Sequence, residues 1–283
     1  MTEWFRHHAR DLPWRRDGYG AWGILVSEVM LQQTPVARVL APLAAWLDRW
    51  PTPADLAAVP AGEAVRAWGR LGYPRRALRL HACAIAIVES HGGRVPADVE
   101  QLLILPGVGE YTARAVSVFA FGQRHPVVDT NVRRVVARAV HGNAEPAPPS
   151  TRRDHAEVEL LLPTDAAEAR VTSAAIMELG AIVCTARAPL CEECPIAQLC
   201  AWRANGYPAH DGPMRATQGT YAGSDRQVRG LILAMLRDDD TPVPAHEIEA
   251  VWADAVQRER AIASLIADGL VERDDAKDYR LPE

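Results

Sequence analysis

The stretch that decides the fold is LPGVGEYTARAV, residues 105–116. It places a proline and two glycines, Gly107 and Gly109, directly before a run of helix-forming residues. Glycine permits positive φ and a tight turn, and its missing side chain lets a ligand approach the main chain closely. The first N–H groups of the following helix have no intrahelical partner and carry partial positive charge, so they can bind a phosphate. A lone glycine pair is explained better by a plain corner between two helices, so the rest of the sequence must decide.

Residues 1–205 carry the spacing of amphipathic helices almost throughout. Apolar residues recur at i, i+3 and i+4, and alternating runs of β-branched residues do not occur in this part of the sequence. Proline, glycine and polar clusters at 50–56, 90–98 and 142–150 predict interruptions between helices. The pattern predicts an all-α domain with helices over 21–33, 35–50, 61–72, 75–93, 99–105, 110–122, 130–142, 153–162 and 168–184.

The remainder of the chain changes in character. Residues 206–224 are rich in Gly, Pro, Ser and Thr, which predicts a linker. Three helical patterns follow, and the polar stretch 272–283 fits a short hairpin, so we interpret 225–283 as a winged-helix-like module. Such modules often bind DNA, but Tyr221–Glu283 carries 14 acidic and 8 basic residues. A packing or protein-contact module is therefore an equally good interpretation.

Charge and hydropathy restrict the class of protein. The chain has a formal net charge of −5, yet outside Tyr221–Glu283 it carries 22 acidic and 23 basic residues. A balanced domain can still present a basic face to nucleic acid. No apolar run approaches the ~20 residues of a membrane span, and the N-terminus lacks the apolar region of a signal peptide. We therefore expect a cytoplasmic protein.

Four of the five cysteines fall close together, in the pattern C-x6-C-x2-C-x5-C. Disulfides are a poor interpretation because nothing in the sequence suggests an oxidising compartment. Four thiolates suit either a structural zinc ion or a [4Fe–4S] cluster, and the residue types alone leave both open. The fifth, Cys83, lies in an apolar helical stretch and is predicted to pack in the core. The clustered cysteines are Cys184, Cys191, Cys194 and Cys200.

This cysteine spacing resembles the cluster loop of the endonuclease III superfamily of DNA glycosylases, and LPGVGEYTA resembles the helix–hairpin–helix motif of the same superfamily. The resemblance implies a two-lobed glycosylase domain over 1–205, with a six-helix lobe at about 20–125 and a cluster lobe formed by 1–19 and 126–205. It also implies a [4Fe–4S] cluster on the four cysteines. Contacts with DNA phosphates are implied for Gly107, Val108, Gly109 and Arg187; an ordinary solvated side chain is the alternative for Arg187.

Position 111 distinguishes two chemistries within the superfamily. A lysine there attacks C1′ of the damaged nucleotide, forms a Schiff base and cleaves the strand. Tyr111 cannot form that imine, and Lys277 is the only lysine of the chain. The resemblance therefore implies a monofunctional glycosylase that uses water, with Tyr111 packing or contacting the sugar.

Two carboxylates match the superfamily's catalytic positions. Asp129, in HPVVDTNVRRV, is also a strong candidate for a helix N-cap. The resemblance makes it the group that stabilises positive charge on the sugar, with Asn131 in support. Adenine-specific members have Gly at the position of Thr130, whereas the endonuclease III branch has Thr there.

Glu28 is an acid within an otherwise apolar helical stretch, which is costly unless the group is paired or functional. A partly exposed polar stripe is the alternative. SEVMLQQT, residues 27–34, resembles the signature of the adenine-specific branch, in which this Glu protonates N7 of adenine and burial raises its pKa. In that branch Gln33 inserts into the duplex near the oxidised guanine, with Thr34 beside it.

Further matches extend the resemblance to the adenine-specific branch. RDLPWRR, residues 10–16, resembles its N-terminal segment, and Tyr73 corresponds to a residue that enters the base stack. Pro74 replaces the second aromatic residue usual there, and the β-rich Nudix-like domain of full-length members is not recognised. Core packing or solvent exposure is the alternative for each match. The residues implied for the adenine pocket are Arg10, Leu12, Trp14, Arg15, Leu31 and Glu178.

The resemblance implies removal of adenine mispaired with 8-oxoguanine or guanine from double-stranded DNA, by a monomer associated with the bacterial nucleoid. Thr130 keeps open an endonuclease III-like glycosylase/lyase on oxidised pyrimidines. A non-catalytic iron–sulfur DNA-binding protein is a third hypothesis. The sequence does not identify a partner for the C-terminal module.

Overall fold

A computed structural model describes residues 1–16, 18–212, 219–239 and 241–283. It is built of helices, with one small hairpin near the C-terminus. The helices of the first half are α1 (Thr2–His8), α2 (Gly20–Leu31), α3 (Val36–Arg49), α4 (Pro53–Ala57), α5 (Ala61–Trp68), α6 (Arg75–His91), α7 (Val99–Ile104) and α8 (Glu110–Phe121).

The second half continues in the same style. Short 3₁₀ turns occupy Pro13–Arg15, Cys191–Glu193 and Ala197–Leu199. The remaining elements are α9 (Thr130–Ala139), α10 (Thr151–Leu161), α11 (Ala166–Ile182), α12 (Ala201–Ala204), α13 (Asp225–Asp238), α14 (Ala245–Ala250), α15 (Ala255–Ala267), β1 (Glu272–Arg273) and β2 (Tyr279–Arg280). The all-α prediction is confirmed, and each helical stretch predicted from apolar spacing contains a helix.

The sequence does not predict three α-helices: α4, α1 and the four-residue α12. Residues 50–56 were predicted as an interruption, but α4 begins at Pro53. Thr52 and Asp55 form a capping box, in which each side chain bonds the backbone N–H of the other, and proline is well tolerated in the first turn of a helix. The second, α1, lies in a polar N-terminal stretch without buried residues, so apolar spacing gave no signal.

The chain divides into two compact units. The first comprises Met1–Ile24, Ala97–Leu103 and the described part of Val108–Met214; the second comprises Leu25–Pro96, Ile104–Gly107 and the described part of Arg215–Glu283. This grouping assigns α8 to the first unit and the C-terminal module to the second. The predicted lobe boundary near 125 and the separate module over 225–283 stay predictions.

The core of the first unit forms around α9 and α11, which pack against each other. α1 packs on α11, and α12 packs on α9. The apolar core of this bundle contains Val132, Val135, Val136, Val158, Leu162, Ala169, Ile176, Leu179 and Val183. α9 is thus packed against α11 and α12, which matters because candidate site residues lie along this helix.

The second unit is centred on α6, against which α4 and α5 pack. Three tryptophans contribute large apolar surfaces, with the Trp46 ring edge-on to Trp50 and Trp68 at centroid distances of 4.7 and 5.6 Å. Edge-to-face aromatic pairs stabilise a core beyond their buried area.

The C-terminal module lies within the second unit. α13 packs on α15, β1 pairs antiparallel with β2, and an isolated bridge joins Val243 to Tyr279. The module contacts α5, because the N–H of Gly62 donates to the carbonyl of Pro282 at 2.6 Å and Arg237 Nε donates to the carbonyl of Val65 at 2.9 Å. Three helices and a hairpin agree with the winged-helix-like prediction. Of the predicted linker, 213–218 lies outside the described residues.

No helix among the described residues is both long and apolar enough to cross a membrane.

Candidate active site

Asp129 caps the N-terminus of α9 and is held by two donors. Its Oδ1 accepts a hydrogen bond from the N–H of Val132 at 2.7 Å, and its Oδ2 accepts one from Nδ2 of Asn131 at 2.7 Å. Burial raises the pKa of Asp129, against the opposing effect of those two hydrogen bonds. The carboxylate therefore has one fixed orientation, which is compatible with both the capping role and a chemical role.

An arginine supports this pair from α9. Nη2 of Arg134 donates to Asn131 Oδ1 and to the carbonyl of Gly180, both at 2.7 Å, and Nε donates to the carbonyl of Cys184 at 2.7 Å. Gly180 approaches so closely that a Cβ on it would lie 2.7 Å from the Cβ of Asn131. A continuous set of hydrogen bonds thus links Asp129, through Asn131 and Arg134, to the backbone of the first clustered cysteine.

A second carboxylate of this unit accepts four hydrogen bonds from arginines. Glu178, on α11, is only 1% exposed. Its Oε1 accepts from the N–H and the Nε of Arg10 at 2.9 and 2.8 Å, and its Oε2 accepts from Arg10 Nη2 and Arg15 Nη2, both at 2.8 Å. Burial alone would raise the pKa of Glu178, but the hydrogen bonds from Arg10 and Arg15 outweigh it and lower the pKa to about 2. The group is ionised throughout the physiological range.

The N-terminal segment supplies the arginines of this cluster. Between Arg10 and Arg15 the chain includes the 3₁₀ turn Pro13–Arg15, in which Trp14 is partly buried, and Leu12 directly before the turn is buried. Arg15 also donates to the carbonyl of Arg10 at 3.0 Å, and its Cζ lies 5.1 Å from the ring centroid of Phe5. The structure thus brings Arg10, Arg15 and Glu178 together.

Tyr111 lies in the first turn of α8 and is partly buried. Its ring packs against a small apolar cluster formed by Ala115, Val118 and Val127. This contact fixes the ring near the start of α8.

Within the second unit, α2 carries the acidic candidate. Glu28 is 5% exposed, and its neighbours from Leu25 to Met30 are buried as well. Its burial disagrees with the alternative of a partly exposed polar stripe. Leu31, at the end of the helix, is partly buried.

The duplex-insertion candidates occupy two loops of the second unit. Gln33 and Tyr73 are exposed, Tyr73 by half of its surface, whereas Thr34 is buried. Gln33 has φ +53° and Tyr73 has φ +46°, a left-handed conformation that non-glycine residues rarely adopt. Two exposed polar residues held in unusual backbone geometry are typical of functional loops.

The two glycines of the turn differ in backbone geometry, because Gly107 adopts positive φ whereas Gly109 has φ −106°. Gly107 has φ +80°, and a Cβ there would lie 2.8 Å from the Cβ of Arg79. Gly109 is the N-cap of α8, with open space around the position of a Cβ, and Val108 between them is buried. The α8 N-terminus and an unobstructed N-cap glycine form a surface that a phosphate can approach.

The four clustered cysteines line one pocket of the first unit. Burial first, and then the neighbouring thiols, raise the pKa of Cys191 and Cys194, so thiolates there need a metal centre to stabilise them. No group of three or more His, Cys, Asp or Glu side chains in the described residues is arranged to hold a single metal ion. Four thiols around one pocket are a donor set that suits either an iron–sulfur cluster or a structural zinc ion.

Arg138 braces the cysteine loop. Its Nη1 donates to Cys184 Sγ at 3.5 Å and to the carbonyl of Thr185 at 2.7 Å, and its Cζ lies 4.7 Å from the ring centroid of Trp202. Arg187, within the same loop, is exposed.

Comparisons with known proteins identify the relatives of this chain. The description "HhH-GPD superfamily base excision DNA repair protein" matches residues 26–158, and "iron-sulfur binding domain of endonuclease III" matches 184–200. An adenine DNA glycosylase of Mycobacterium tuberculosis is 56% identical over 283 residues, which is 100% of this chain and 92% of the relative. The chain belongs to the adenine DNA glycosylase family.

Other relatives agree with this assignment. The adenine DNA glycosylase of Mycolicibacterium smegmatis is 56% identical over 96% of this chain and 92% of its own length, and that of Homo sapiens is 41% identical over 72% of this chain and 38% of its own length. A solved thermostable thymine-DNA glycosylase covers 72% of this chain and 93% of its own, with TM-score 0.66 and 29% identity. An endonuclease III–DNA covalent intermediate covers 73% and 93%, with TM-score 0.62 and 25% identity.

Family membership decides several predictions. The protein is a monofunctional DNA glycosylase of base excision repair, a hydrolase that binds DNA, and it carries a [4Fe–4S] cluster in the loop of the four cysteines. The helix–hairpin–helix fold is confirmed. These relatives favour an adenine DNA glycosylase over both the endonuclease III-like alternative based on Thr130 and the non-catalytic alternative.

The sequence analysis does not identify three arginines whose guanidinium groups bind several backbone carbonyls. Arg134 and Arg138 lie one helical turn apart on α9, and Arg76 lies among buried residues of α6. A signal was present, because an arginine on the apolar side of a helix requires acceptors for its guanidinium. The sequence alone does not name those acceptors, which are mostly backbone carbonyls.

Proposed function

We propose that this glycosylase hydrolyses the N-glycosidic bond of adenine paired with 8-oxoguanine or guanine. The observation that carries the proposal is the fixed carboxylate of Asp129, in a chain whose only lysine is Lys277. A rigid anion beside C1′ stabilises positive charge on the sugar, and water rather than an amine is left to complete the reaction.

In the proposed reaction Glu28 donates a proton to N7 of the extruded adenine. The C1′–N9 bond then breaks, and its electron pair leaves with the neutral base. Asp129 stabilises the resulting sugar cation, a water adds to C1′, and the proton of that water passes to the Asp129 carboxylate. The raised pKa of Asp129 supports this acceptance, and the burial of Glu28 supports an acid shielded from solvent.

The arginine–glutamate cluster supports a positioning role in the adenine pocket. Both oxygens of Glu178 already accept two hydrogen bonds each, so a direct contact with the base would have to displace one of the arginine donors. We infer that Glu178 mainly orients Arg10 and Arg15. The proposed pocket also includes Leu12, Trp14 and Leu31 as apolar contacts, and Tyr111 near the sugar.

DNA contacts complete the proposal. The N–H groups over Gly107, Val108 and Gly109 are proposed to bind a phosphate, and exposed Arg187 another. Gln33 and Tyr73 enter the duplex, Gln33 near the oxidised guanine, and Thr34 lies beside Gln33. The cluster, when bound, supplies a folded loop for phosphate contact, and Arg134 and Arg138 hold that loop against α9.

The substrate assignment is tested with three duplexes: adenine opposite 8-oxoguanine, adenine opposite guanine, and an oxidised pyrimidine opposite guanine. We expect release of adenine from the first two and no release from the third. Glu28→Gln should abolish most of the release, because the amide cannot donate the proton to N7. Release of the oxidised pyrimidine in preference to adenine would contradict the proposal.

We also propose that the enzyme acts as a monomer on the bacterial nucleoid. Light scattering during size-exclusion chromatography, with and without a single-lesion duplex, measures whether the protein is a monomer. A mass of two chains on one duplex would contradict it.

A further inference from the structure

The two exposed residues proposed to enter the duplex share an unusual backbone. Gln33 and Tyr73 lie on different loops, after α2 and before α6, and both have positive φ. Among the described non-glycine residues, this conformation occurs at only two further positions, Tyr207 and Lys277. Such a conformation persists only when the surrounding structure holds it in place.

One side chain contacts both loops. Nη1 of Arg76 donates to the carbonyls of Val29 and Met30 at 2.9 Å and to that of Gln32 at 2.6 Å. Its Nη2 donates to Thr34 Oγ1 at 2.9 Å and to the carbonyl of Gly72 at 3.1 Å.

The acceptors flank the two strained residues. Gln32 and Gly72 directly precede Gln33 and Tyr73. The Cζ of Arg76 also lies 5.5 Å from the ring centroid of Tyr73. One guanidinium therefore fixes the carbonyl before each positive-φ residue and lies beside the ring of Tyr73, one of the two side chains that would enter the duplex.

The electrostatics of Arg76 are costly for a purely structural residue. It is 6% exposed, its acceptors in the described structure are neutral oxygens, and its Nε is buried without a hydrogen-bond partner. Burial lowers its pKa to about 10, so the group remains a cation at neutral pH. An apolar side chain would fill the same space without the desolvation cost. The partial negative charge at the C-terminus of α2 offsets only part of that cost.

We propose that Arg76 is a positioning residue for base extrusion, which joins the Gln33 loop and the Tyr73 loop so that both side chains enter the duplex together. This inference rests on the proposed function, in which Gln33 and Tyr73 are the inserted groups. Arg76 itself contacts neither the substrate nor the reacting atoms.

The test is a mutant cycle measured on adenine opposite 8-oxoguanine. Four proteins are compared in single-turnover reactions: wild type, Arg76→Lys, Gln33→Ala/Tyr73→Ala and the triple variant. Lysine keeps the charge but cannot reach both sets of acceptors with one ammonium group. We expect Arg76→Lys to slow adenine release by about tenfold, since misplaced groups carry large rate penalties. In the Gln33→Ala/Tyr73→Ala background the same change should alter the rate by less than about twofold, because residues that act through each other are not additive.

A second readout separates positioning from general damage. The fluorescence of 2-aminopurine beside the adenine reports base extrusion, and its amplitude should fall in Arg76→Lys while the melting temperature of the protein changes little. Arg70→Lys, at an exposed arginine of the same segment, is the matched control and should behave like wild type. Arg76→Met, which removes the buried charge, provides a second variant if the lysine protein does not fold.

Several outcomes would overturn the inference. They are an unchanged rate in Arg76→Lys, an equal loss in the wild-type and Gln33→Ala/Tyr73→Ala backgrounds, and loss of the folded state in both Arg76 variants. An unaffected Gln33→Ala/Tyr73→Ala protein would also overturn it while leaving adenine removal intact. Failure of the proposed function is a different result, in which the wild type releases no adenine at all.

Discussion

At the scale of single residues, two carboxylates of the same unit have pKa values that are shifted in opposite directions. Burial raises the pKa of Asp129, whereas two arginines lower that of Glu178 to about 2. A carboxylate with a raised pKa can exchange a proton during a reaction, while one saturated by arginines serves to hold its partners. The difference supports a chemical role for Asp129 and a positioning role for Glu178.

Replacing Asp129 with Asn separates its chemical role from its structural one. Asparagine is also a good N-cap, so α9 should remain folded and the melting temperature should change little. Loss of the charge should lower the single-turnover rate of adenine release by on the order of 10²–10³, the usual effect of removing one electrostatic contact to a transition state. A rate close to that of wild type would contradict the assignment.

The pH dependence of the rate should identify Asp129 as well. Asp129 must be ionised to stabilise the sugar cation, so the rate should fall on the acidic side, with a midpoint above the usual 3.8 of an aspartate. Asn131→Ala removes a hydrogen bond that favours the ionised form, which raises the pKa further and should move this midpoint to higher pH. The midpoint should stay in place in Glu178→Gln, because Glu178 protonates only near pH 2. A midpoint that moves in Glu178→Gln but not in Asn131→Ala would contradict the chemical role of Asp129 and assign that role to Glu178.

At the scale of elements, the two glycines of the turn between α7 and α8 should respond differently to alanine. Gly107 has positive φ and would clash with Arg79, so Gly107→Ala should lower both the melting temperature and DNA affinity. Gly109 has φ −106° and open space around it, so Gly109→Ala should fold normally. It should still weaken DNA binding by about tenfold, or about 1.4 kcal/mol, because the methyl group occupies the phosphate surface. Thermal melting and fluorescence anisotropy with a single-lesion duplex measure the stability and the DNA affinity of both variants. Normal DNA affinity in Gly109→Ala would contradict a phosphate contact at this position.

The sequence predicted the elements where one periodic signal dominates and missed those that depend on local capping. The apolar spacing of α3, α6, α9 and α11 was sufficient to predict them. α4 lies outside this signal because proline and threonine at 51–53 are typical of a break, although a capping box starts a helix with the same residue types. In the site, Asp129 and the four cysteines have local motifs, whereas the acceptors of Arg76 come from two separate segments, 29–34 and Gly72, that no spacing brings together.

At the scale of the whole molecule, the C-terminal module belongs to the same compact unit as α5 and α6. Composition predicted a module on a linker, since loop-forming residues precede it. The contacts are nevertheless specific, because Gly62 leaves room for Leu281 and Pro282, and a Cβ on Gly62 would lie 2.5 Å from the carbonyl oxygen of Pro282. Close packing of this kind depends on the absence of one side chain, which sequence periodicity does not reveal.

The packing of the C-terminal residues against Gly62 can be tested by substitution and truncation. Gly62→Ala should lower the free energy of unfolding by about 1–3 kcal/mol, as overpacking usually does. Deletion of residues 281–283 should cost a similar amount, since it exposes the same surface. The two changes combined should cost little more than one alone, because they remove a shared contact. Chemical denaturation measures all three; full additivity would show that the C-terminal residues do not pack on Gly62.

The central claim is that water, and not an amine, replaces adenine at C1′. The most direct measurement follows free adenine released from a duplex with adenine opposite 8-oxoguanine, with borohydride present to trap any imine and with alkali added only afterwards. The account predicts one adenine per duplex, no covalent adduct, and strand breaks only after alkali. A borohydride-stable protein–DNA adduct, or adenine that remains fully attached, would contradict it.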